Sequence, residues 1–314
     1  MKTIENRDYI REGPYEVLSR EFLISRGYCC QSGCRNCPYQ IKKSTGNTDG
    51  NTDTINTNMI DRRLKIVSFV PSWTETLLAA GGNIIGCTRY CIHPKDLTET
   101  CVKVGGTKSF DLHKIQNLKP DVVIMDKEEN TKLMSEKCPF PILPSHVCSL
   151  EDLQLELETF SHQLQLPDLL SYSLRVNKLL NQTALKTQGI SGVLDWWKKP
   201  EEDLSHYQLV YLVWKKPFMC ITRGTFIGSV LNKLKLGDKL WFPQGRGLYP
   251  ELELSDLPPK SILLFSSEPY PFAQFKEEYL QSQMPFPAAL IDGESFSWFG
   301  LRSIRFLEDQ FYKD

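Results

Sequence analysis

Four cysteines near the start of the chain carry the clearest chemical signal in the sequence. Cys29, Cys30, Cys34 and Cys37 fall within nine residues, and the last three form a C-x3-C-x2-C pattern. Thiolates this close in sequence can turn toward one soft metal, so the spacing predicts a metal site. The metal is either zinc, which cysteine thiolates commonly bind, or an iron–sulfur cluster. Pro38 directly after Cys37 is typical of iron–sulfur loops. Disulfides or free thiols are the alternative.

The residues around these cysteines resemble a known domain. The run RGYCCQSGCRNCPY at 26–39 resembles the pattern of a small, uncharacterised Cys-rich domain, and the similarity covers residues 8–40. It implies no particular activity. The same cysteine spacing occurs in radical enzymes that use S-adenosylmethionine, but there it lies in a loop of a (βα) barrel. A polar segment follows here instead, which excludes that interpretation.

Composition bounds the protein class and the domain organisation. The 314 residues carry a formal charge of -1, which argues against a nucleic-acid partner because phosphate contacts need a surplus of cations. No apolar stretch is long enough to insert into a membrane. The Asn/Thr-rich segment 41–62 predicts a flexible linker after a module at 1–40. The first residues lack the apolar core of a secretory signal, and crowded cysteines suit a reducing compartment, so we expect a cytoplasmic location.

Strand and helix patterns alternate after the linker. Within residues 63–148 the sequence predicts strands at 64–70, 84–87, 121–125 and 141–144. It predicts helices at 75–80, capped by Ser72 or Thr74, and at 112–118, capped by Asp111. This alternation indicates right-handed crossovers and a parallel sheet.

Two helices are predicted in residues 149–190, the second long, at about 167–187, and the alternation then resumes in residues 191–314. Predicted strands there are 208–214, 260–265 and 288–291, and predicted helices are 226–234, 272–283 and 301–312. The expected fold class is α/β, with two Rossmann-like lobes that contain parallel sheets. A long backbone helix joins the lobes, and the small Cys-rich metal-binding module precedes them.

Several motifs in residues 63–314 resemble one family. They are KIVSFVPSWTETLLAAGG, GCTRYCIHP, VGGTKSFDLHKIQNLKPDVVIM and, in the second lobe, LVWKKPFMCITRGTFIGSVLNKLKLGD. In this order they are similar to the helical-backbone metal receptors, which include the cobalamin and iron-chelate substrate-binding proteins of ABC transporters. The motif IDGESFSWFGLRS resembles a cytoplasmic branch of that family. In such receptors an exposed Glu on each lobe docks on the transporter, and Glu75 stands at the matching place, although an ordinary exposed helix residue is the favoured interpretation.

The resemblance implies a ligand in the cleft between the lobes, at the carboxyl ends of the strands. Aromatic side chains there offer flat faces to a macrocycle, and cations offer charge to its acidic groups. The predicted ligand-binding residues are Trp73, Tyr90, Lys108, Trp214, Arg223, Trp298 and Phe299. Interlobe packing is the alternative for Trp73 and Trp298. Lys108 stands where cobalamin receptors tend to have tryptophan, which leaves the ligand open among corrinoids, tetrapyrroles and other metal chelates.

Three functions stay open at this stage. We favour a binding protein that holds such a small-molecule chelate, with zinc or an iron–sulfur cluster at the Cys module. An enzyme or electron-transfer protein that reaches the chelate with its Cys cluster is an alternative, because a coil of about twenty residues spans about 25 Å. A structural scaffold is another. No Ser/His/Asp set or phosphate loop is present in the sequence, so no catalytic residue is assigned and no protein partner is indicated.

Overall fold

The computed structural model describes residues 9–12, 15–18, 63–96, 100–186, 189–245 and 247–312. The chain divides into two compact units, Met1–Met59 and Ile60–Asp314. In the first unit, β1 (Tyr9–Glu12) and β2 (Tyr15–Leu18) pair as an antiparallel hairpin in which Tyr9 lies opposite Leu18. The predicted metal ligands Cys29, Cys30, Cys34 and Cys37 and the predicted linker lie outside the described residues.

The first lobe contains a five-stranded sheet in which every neighbouring pair is parallel, in the order β5-β4-β3-β6-β7. Its strands are β3 (Lys65–Ser68), β4 (Asn83–Cys87), β5 (Val102–Lys103), β6 (Val122–Asp126) and β7 (Ile142–Ser145). Its helices are α1 (Pro71–Ala79), α2 (Leu112–Leu118) and α3 (Lys132–Lys137). The parallel sheet predicted for this lobe is confirmed.

The helix starts in this lobe follow from local chemistry, although one cap differs from its prediction. Asp111 accepts a hydrogen bond from the backbone N–H of Lys114 at 3.1 Å and caps α2 as predicted. The helix α1 begins four residues earlier than predicted, because Pro71 fits a first helical turn that needs no N–H donor. Val70 is its N-cap residue, so the predicted caps Ser72 and Thr74 are wrong; Thr74 donates to the Val70 carbonyl at 3.0 Å.

Two helices of similar length connect the lobes. The helix α4 (Leu150–Leu164) has 15 residues and α5 (Asp168–Asn181) has 14, so the second is shorter than its predicted span. Gln165, in a left-handed conformation with φ of 57°, ends α4 and allows the chain to reverse. Leu153 and Phe160 of α4 and Val176 of α5 belong to one buried cluster, which explains why the apolar positions of both helices recur at helical spacing.

The second lobe contains a six-stranded sheet in the order β11-β10-β9-β12-β13-β8. Its strands are β8 (Val193–Lys198), β9 (Gln208–Lys215), β10 (Phe218–Cys220), β11 (Glu251–Leu252), β12 (Ser261–Ser266) and β13 (Ala288–Ile291). Its helices are α6 (Phe226–Lys233), α7 (Lys276–Gln281), α8 (Gly293–Ser297) and α9 (Leu301–Tyr312). The three central strands β9, β12 and β13 are parallel, whereas the edge strands pair antiparallel, so this sheet is mixed rather than wholly parallel.

One hydrophobic cluster spans the two lobes, and each lobe also has a smaller cluster of its own. A single cluster includes Ile66 and Trp73 of the first lobe and Tyr211, Ile262 and Ile304 of the second. The two-lobed α/β architecture joined by helices is therefore confirmed. Among the described residues, no helix combines the length and apolarity needed to cross a membrane.

Candidate functional site

The turn after β6 is fixed by a buried aspartate at the carboxyl end of the strand. Asp126 Oδ1 accepts hydrogen bonds from the backbone N–H groups of Glu128, at 2.8 Å, and Glu129, at 3.3 Å. Its other oxygen accepts from the Ser145 hydroxyl at 2.7 Å, and Ser145 in turn accepts from the Trp73 indole N–H at 3.0 Å. Because these buried groups satisfy one another, the turn holds Glu128 and Glu129 at the edge of the sheet.

Glu128 lies next to two further potential metal ligands, His146 and Cys148, which follow the neighbouring strand β7. The Cys148 thiol donates to Glu128 Oε1 at 3.4 Å and lies 3.6 Å from His146 Nε2. One ligand atom from each of the three residues lies within 4.8 Å of the other two. Oxygen, nitrogen and sulfur donors therefore converge at the carboxyl edge of the first sheet.

The second lobe contributes Tyr249 to the same cluster. The Tyr249 hydroxyl donates to Glu128 Oε2 at 2.9 Å, across the boundary between the lobes. Burial and the nearby Glu128 raise the pKa of Tyr249, so its hydroxyl is protonated and serves as a donor. Burial, followed by the charges of Glu128 and Asp152, raises the pKa of Cys148 to about 12. The local field is thus negative and disfavours a thiolate unless a cation is near.

Two carboxyl groups with raised pKa values, Glu129 of the first lobe and Glu268 of the second, lie at the boundary between the lobes. Burial raises the pKa of Glu129 to about 7, and Lys108 partly opposes that rise. Burial also raises the pKa of Glu268, although hydrogen bonds from Ser297 and Trp298 favour its charged form. The charge of Glu268 contributes to the raised pKa of Glu129, so the carboxyl edges of the two sheets face each other here.

An ionic network joins the lobes at another part of these edges. Arg302 of α9 forms a bidentate pair with Glu75 of α1, at 2.8 and 2.9 Å, and also lies 3.0 Å from Glu294. Glu294 Oε2 lies 2.9 Å from His93 Nε2. The Glu75 side chain is 15% exposed. Interpreting Glu75 as an ordinary exposed helix residue is therefore wrong, because Arg302 neutralises it at the interlobe contact.

Three predicted ligand-binding aromatic residues, Trp73, Trp298 and Phe299, lie inside the interlobe interface. Their exposed fractions are 0%, 8% and 7%. Trp73 packs against Phe160 with ring centroids 4.5 Å apart and meets Phe299 edge-on at 5.5 Å. Trp298 packs edge-on against His93 at 5.4 Å. The structure brings Trp73 and Phe299 together, and both act in this conformation as packing groups between the lobes.

Gly300 allows this close contact between the lobes. Its φ of 102° favours glycine, and a Cβ there would collide with the Thr76 hydroxyl. That hydroxyl accepts a hydrogen bond from the backbone N–H of Leu301 at 3.0 Å. The segment around Gly300 is thus fastened to α1.

The four other predicted ligand-binding residues, Tyr90, Lys108, Trp214 and Arg223, are exposed. Tyr90 is 49% exposed beside the Arg89 guanidinium, and Trp214 is 42% exposed, edge-on to Tyr270 at 5.4 Å. Lys108 donates to the Glu128 carbonyl at 2.7 Å. Arg223 donates to the Gly237 carbonyl at 2.9 Å and so also fixes its own loop.

Sequence reasoning missed the convergence of Glu128 with His146, Cys148 and Tyr249. None of these four residues was among the predicted ligand-binding or metal-binding residues. A signal was present, because His-x-Cys directly follows the apolar run of β7 and Glu128 follows β6. Adjacent parallel strands end at the same edge, which places such residues together. No comparable local signal existed for Tyr249, which comes from the other lobe.

Comparison with known proteins gives two matches for different parts of the chain. Residues 1–43 match a family of unknown function, DUF5522. This agrees with the resemblance to an uncharacterised domain and leaves its chemistry open. No curated protein matches the sequence.

Solved structures match the two-lobed part. The periplasmic vitamin B12-binding protein BtuF of Vibrio cholerae has 18% identity and a TM-score of 0.54, over 78% of this chain and 94% of its own. The periplasmic heme-binding protein RhuT from Roseiflexus sp. RS-1 has 14% identity and a TM-score of 0.56, over 78% and 95%. The siderophore-binding protein FhuD from Vibrio cholerae, bound to Fe3+-Desferal, has 14% identity and a TM-score of 0.53, over 79% and 96%.

These comparisons correct one expectation and establish another. The BtuF and RhuT neighbours are periplasmic proteins, so the prediction of a cytoplasmic location is contradicted by the comparison and was wrong. The predicted two-lobed α/β fold is confirmed, because the three solved structures match this chain over 94%, 95% and 96% of their own lengths. The two-lobed part of the chain therefore has the fold of the helical-backbone metal receptors.

Proposed function

We propose that the chain is a binding protein that holds a metal chelate in the cleft between its lobes. Chelates of this class are corrinoids, tetrapyrroles and iron siderophores. Support comes from neighbours of the same fold whose names give vitamin B12, heme and Fe3+-Desferal as ligands. The place of the cleft rests on the facing carboxyl edges of the two sheets, the position where open α/β sheets bind ligands.

The observation that carries this proposal is the pair of exposed aromatic residues on these edges. Tyr90 follows β4 in the first lobe, and Trp214 lies near the end of β9 in the second. Both leave more than two fifths of their surface open, at 49% and 42%. A planar macrocycle covers such faces with a favourable loss of apolar surface. Arg89, beside the Tyr90 ring, and the exposed Lys108 supply charge for carboxylate or phosphate groups.

In this proposal the buried aromatic residues act indirectly. Trp73, Trp298 and Phe299 set the spacing of the lobes through packing, and Arg223 fixes the loop that precedes α6. The ligand contacts then come from the exposed residues Tyr90, Lys108 and Trp214, which we call the rim of the cleft. These side chains need no large rearrangement to meet a ligand. This division of roles predicts that rim variants lose affinity while interface variants lose stability.

The test is a titration of the full chain with heme, cobalamin, cobinamide and the ferric desferrioxamine complex. Binding is followed by tryptophan fluorescence, corrected for inner-filter absorption, and by ligand absorbance. We expect saturation with at least one chelate, and a loss of affinity of about tenfold, or about 1.4 kcal/mol, in Tyr90→Ala or Trp214→Ala. Leu174→Ala is the control, because Leu174 is 70% exposed on α5 and is not a rim residue. The proposal is refuted if none of the four chelates shows saturable binding.

We further propose that Cys29, Cys30, Cys34 and Cys37 hold zinc or an iron–sulfur cluster. The support is their spacing alone. Metal analysis and the visible spectrum of the purified chain distinguish the two, because an iron–sulfur cluster is coloured and zinc is not. Cys34→Ser should remove the metal and leave chelate binding unchanged. Loss of chelate affinity in that folded variant would instead favour transfer of metal or electrons between module and cleft.

A further inference from the structure

The cluster of Glu128, His146 and Cys148 has the dimensions of a metal site. Ligand atoms around a tetrahedral ion with bonds of about 2.0–2.3 Å lie about 3.5 Å apart. The Cys148 sulfur lies 3.4 Å from Glu128 Oε1 and 3.6 Å from His146 Nε2. The third separation, between the Glu128 and His146 ligand atoms, is within 4.8 Å, so side-chain adjustment brings all three donors around one ion.

The donor types indicate which ion fits. One carboxylate oxygen, one imidazole nitrogen and one sulfur are the ligands that borderline divalent ions such as Zn2+ and Co2+ accept together. Mg2+ and Ca2+ prefer oxygen ligands only, so the sulfur disfavours them. A bound cation also removes the proton from a thiol, which gives Cys148 its ligating form.

The surrounding charges favour a cation. Asp152 accepts from the Cys148 backbone N–H at 3.1 Å, and Asp126 lies behind the Glu128 turn. The Glu156 carboxyl group also lies near His146. Lys108 is the opposing positive group, and its ammonium is directed to the Glu128 carbonyl rather than to the carboxylate. The three carboxyl groups around the cluster thus provide more negative charge than Lys108 provides positive charge.

The same hydrogen bonds hold the ligands in place before any ion arrives. The backbone of Glu128 is fixed by Asp126 and that of Cys148 by Asp152, so little conformational freedom is lost on binding. Three protein ligands leave one coordination position open. The Tyr249 hydroxyl, hydrogen-bonded to Glu128 at 2.9 Å, brings the second lobe to this cluster.

We propose that Glu128, His146 and Cys148 coordinate a borderline divalent metal centre at the mouth of the cleft, with the fourth position left for water or a donor atom of the cargo. The centre is a divalent ion rather than the metal of a macrocycle, because a macrocycle already fills four positions around its metal and leaves at most one on the face toward the protein, too few for three protein ligands. This inference deepens the proposed function and rests on it for the cargo. Direct binding of a metal ion, however, is measured separately.

The experiment uses the full chain with Cys34→Ser and Cys37→Ser, so that the N-terminal module does not bind the probe. After metal removal with a chelator, Co2+ is added and the sulfur-to-cobalt charge-transfer absorption is recorded. We expect one equivalent per chain, and a weakening of at least about 100-fold in Cys148→Ser, His146→Ala and Glu128→Gln. Cys138→Ser is the matched control, because Cys138 is a half-buried thiol at the end of α3. Circular dichroism verifies the fold of each variant.

The heme and cobalamin titrations are repeated on the same variants to separate the outcomes. Co2+ binding that is lost in Cys148→Ser supports the inference. A Co2+ signal unchanged by all three substitutions, or no Co2+ signal alongside saturable chelate binding, overturns the inference. In that last case the proposed chelate-binding function still stands.

Discussion

Replacement of Trp73 distinguishes a packing role from a ligand-binding role for the interlobe aromatic residues. Its side chain is 0% exposed and packs on Phe160 and Phe299 at 4.5 and 5.5 Å. Truncation of a buried aromatic ring costs about 3–5 kcal/mol, because contacts are lost and the cavity closes only in part. We therefore expect Trp73→Ala to lower the free energy of unfolding by about 4 kcal/mol.

Two further variants show how much of the Trp73→Ala cost comes from the lost ring and how much from the lost hydrogen bond. Trp73→Phe keeps an aromatic ring but removes the indole donor to Ser145, and Ser145 still donates to Asp126. This variant should lose about 1–2 kcal/mol. Trp214→Ala, at a residue that is 42% exposed, should lose less than about 1 kcal/mol.

Urea unfolding followed by circular dichroism measures these differences, and an unchanged slope shows that the midpoint shift reports stability. A packing role for Trp73 is refuted if Trp73→Ala lowers the free energy of unfolding no more than Trp214→Ala does and instead weakens chelate binding. That result would place Trp73 on the wall of an opened cleft, as the sequence first suggested.

Two further predictions concern charges at the interlobe boundary. Burial raises the pKa of Glu268, so the folded chain binds this proton more tightly than the unfolded chain does. The free energy of unfolding should therefore fall as the pH rises above the ordinary carboxyl pKa, and Glu268→Gln should reduce that slope in urea unfolding between about pH 5 and about pH 8. Arg302→Met leaves Glu75 and Glu294 without their common cation and should cost about 2 kcal/mol, a value reduced for partial exposure. Thermal unfolding of Arg302→Met in a Glu75→Gln background should show recovery of part of that loss, and strictly additive losses would contradict coupling of the pair.

The sequence predicted those elements whose start and stop chemistry is local. The helix α2 runs from Leu112 to Leu118, as predicted, because Asp111 caps it and Pro120 disfavours its continuation. The helix α9 also has its predicted bounds. The strand β8 was missed because Asp195 breaks its apolar run and its antiparallel pairing with β13 is a tertiary contact.

The site was predictable only in its general location. Loops at the strand ends were expected to carry it, and Glu128, Lys108 and Tyr90 lie there. Burial of Trp73 could not be inferred from its neighbours in sequence, because Phe299, which covers it, comes from the far end of the chain. Tyr249 and Glu128 likewise meet only after both lobes have folded.

The hydrophobic cluster shared by both lobes makes the halves of the large unit one cooperative folding unit. Where lobes meet through a small polar surface, each can melt separately. Here Trp73 and Ile66 belong to the same cluster as Tyr211 and Ile262. Unfolding of one lobe would therefore expose apolar surface of the other lobe to solvent. Each lobe also has a smaller cluster of its own, but the largest cluster spans both lobes, so we expect the described part of 63–312 to melt in a single transition. We therefore expect the cleft to change its width through the exposed side chains and loops that line it, rather than through a change in the relative orientation of the lobes.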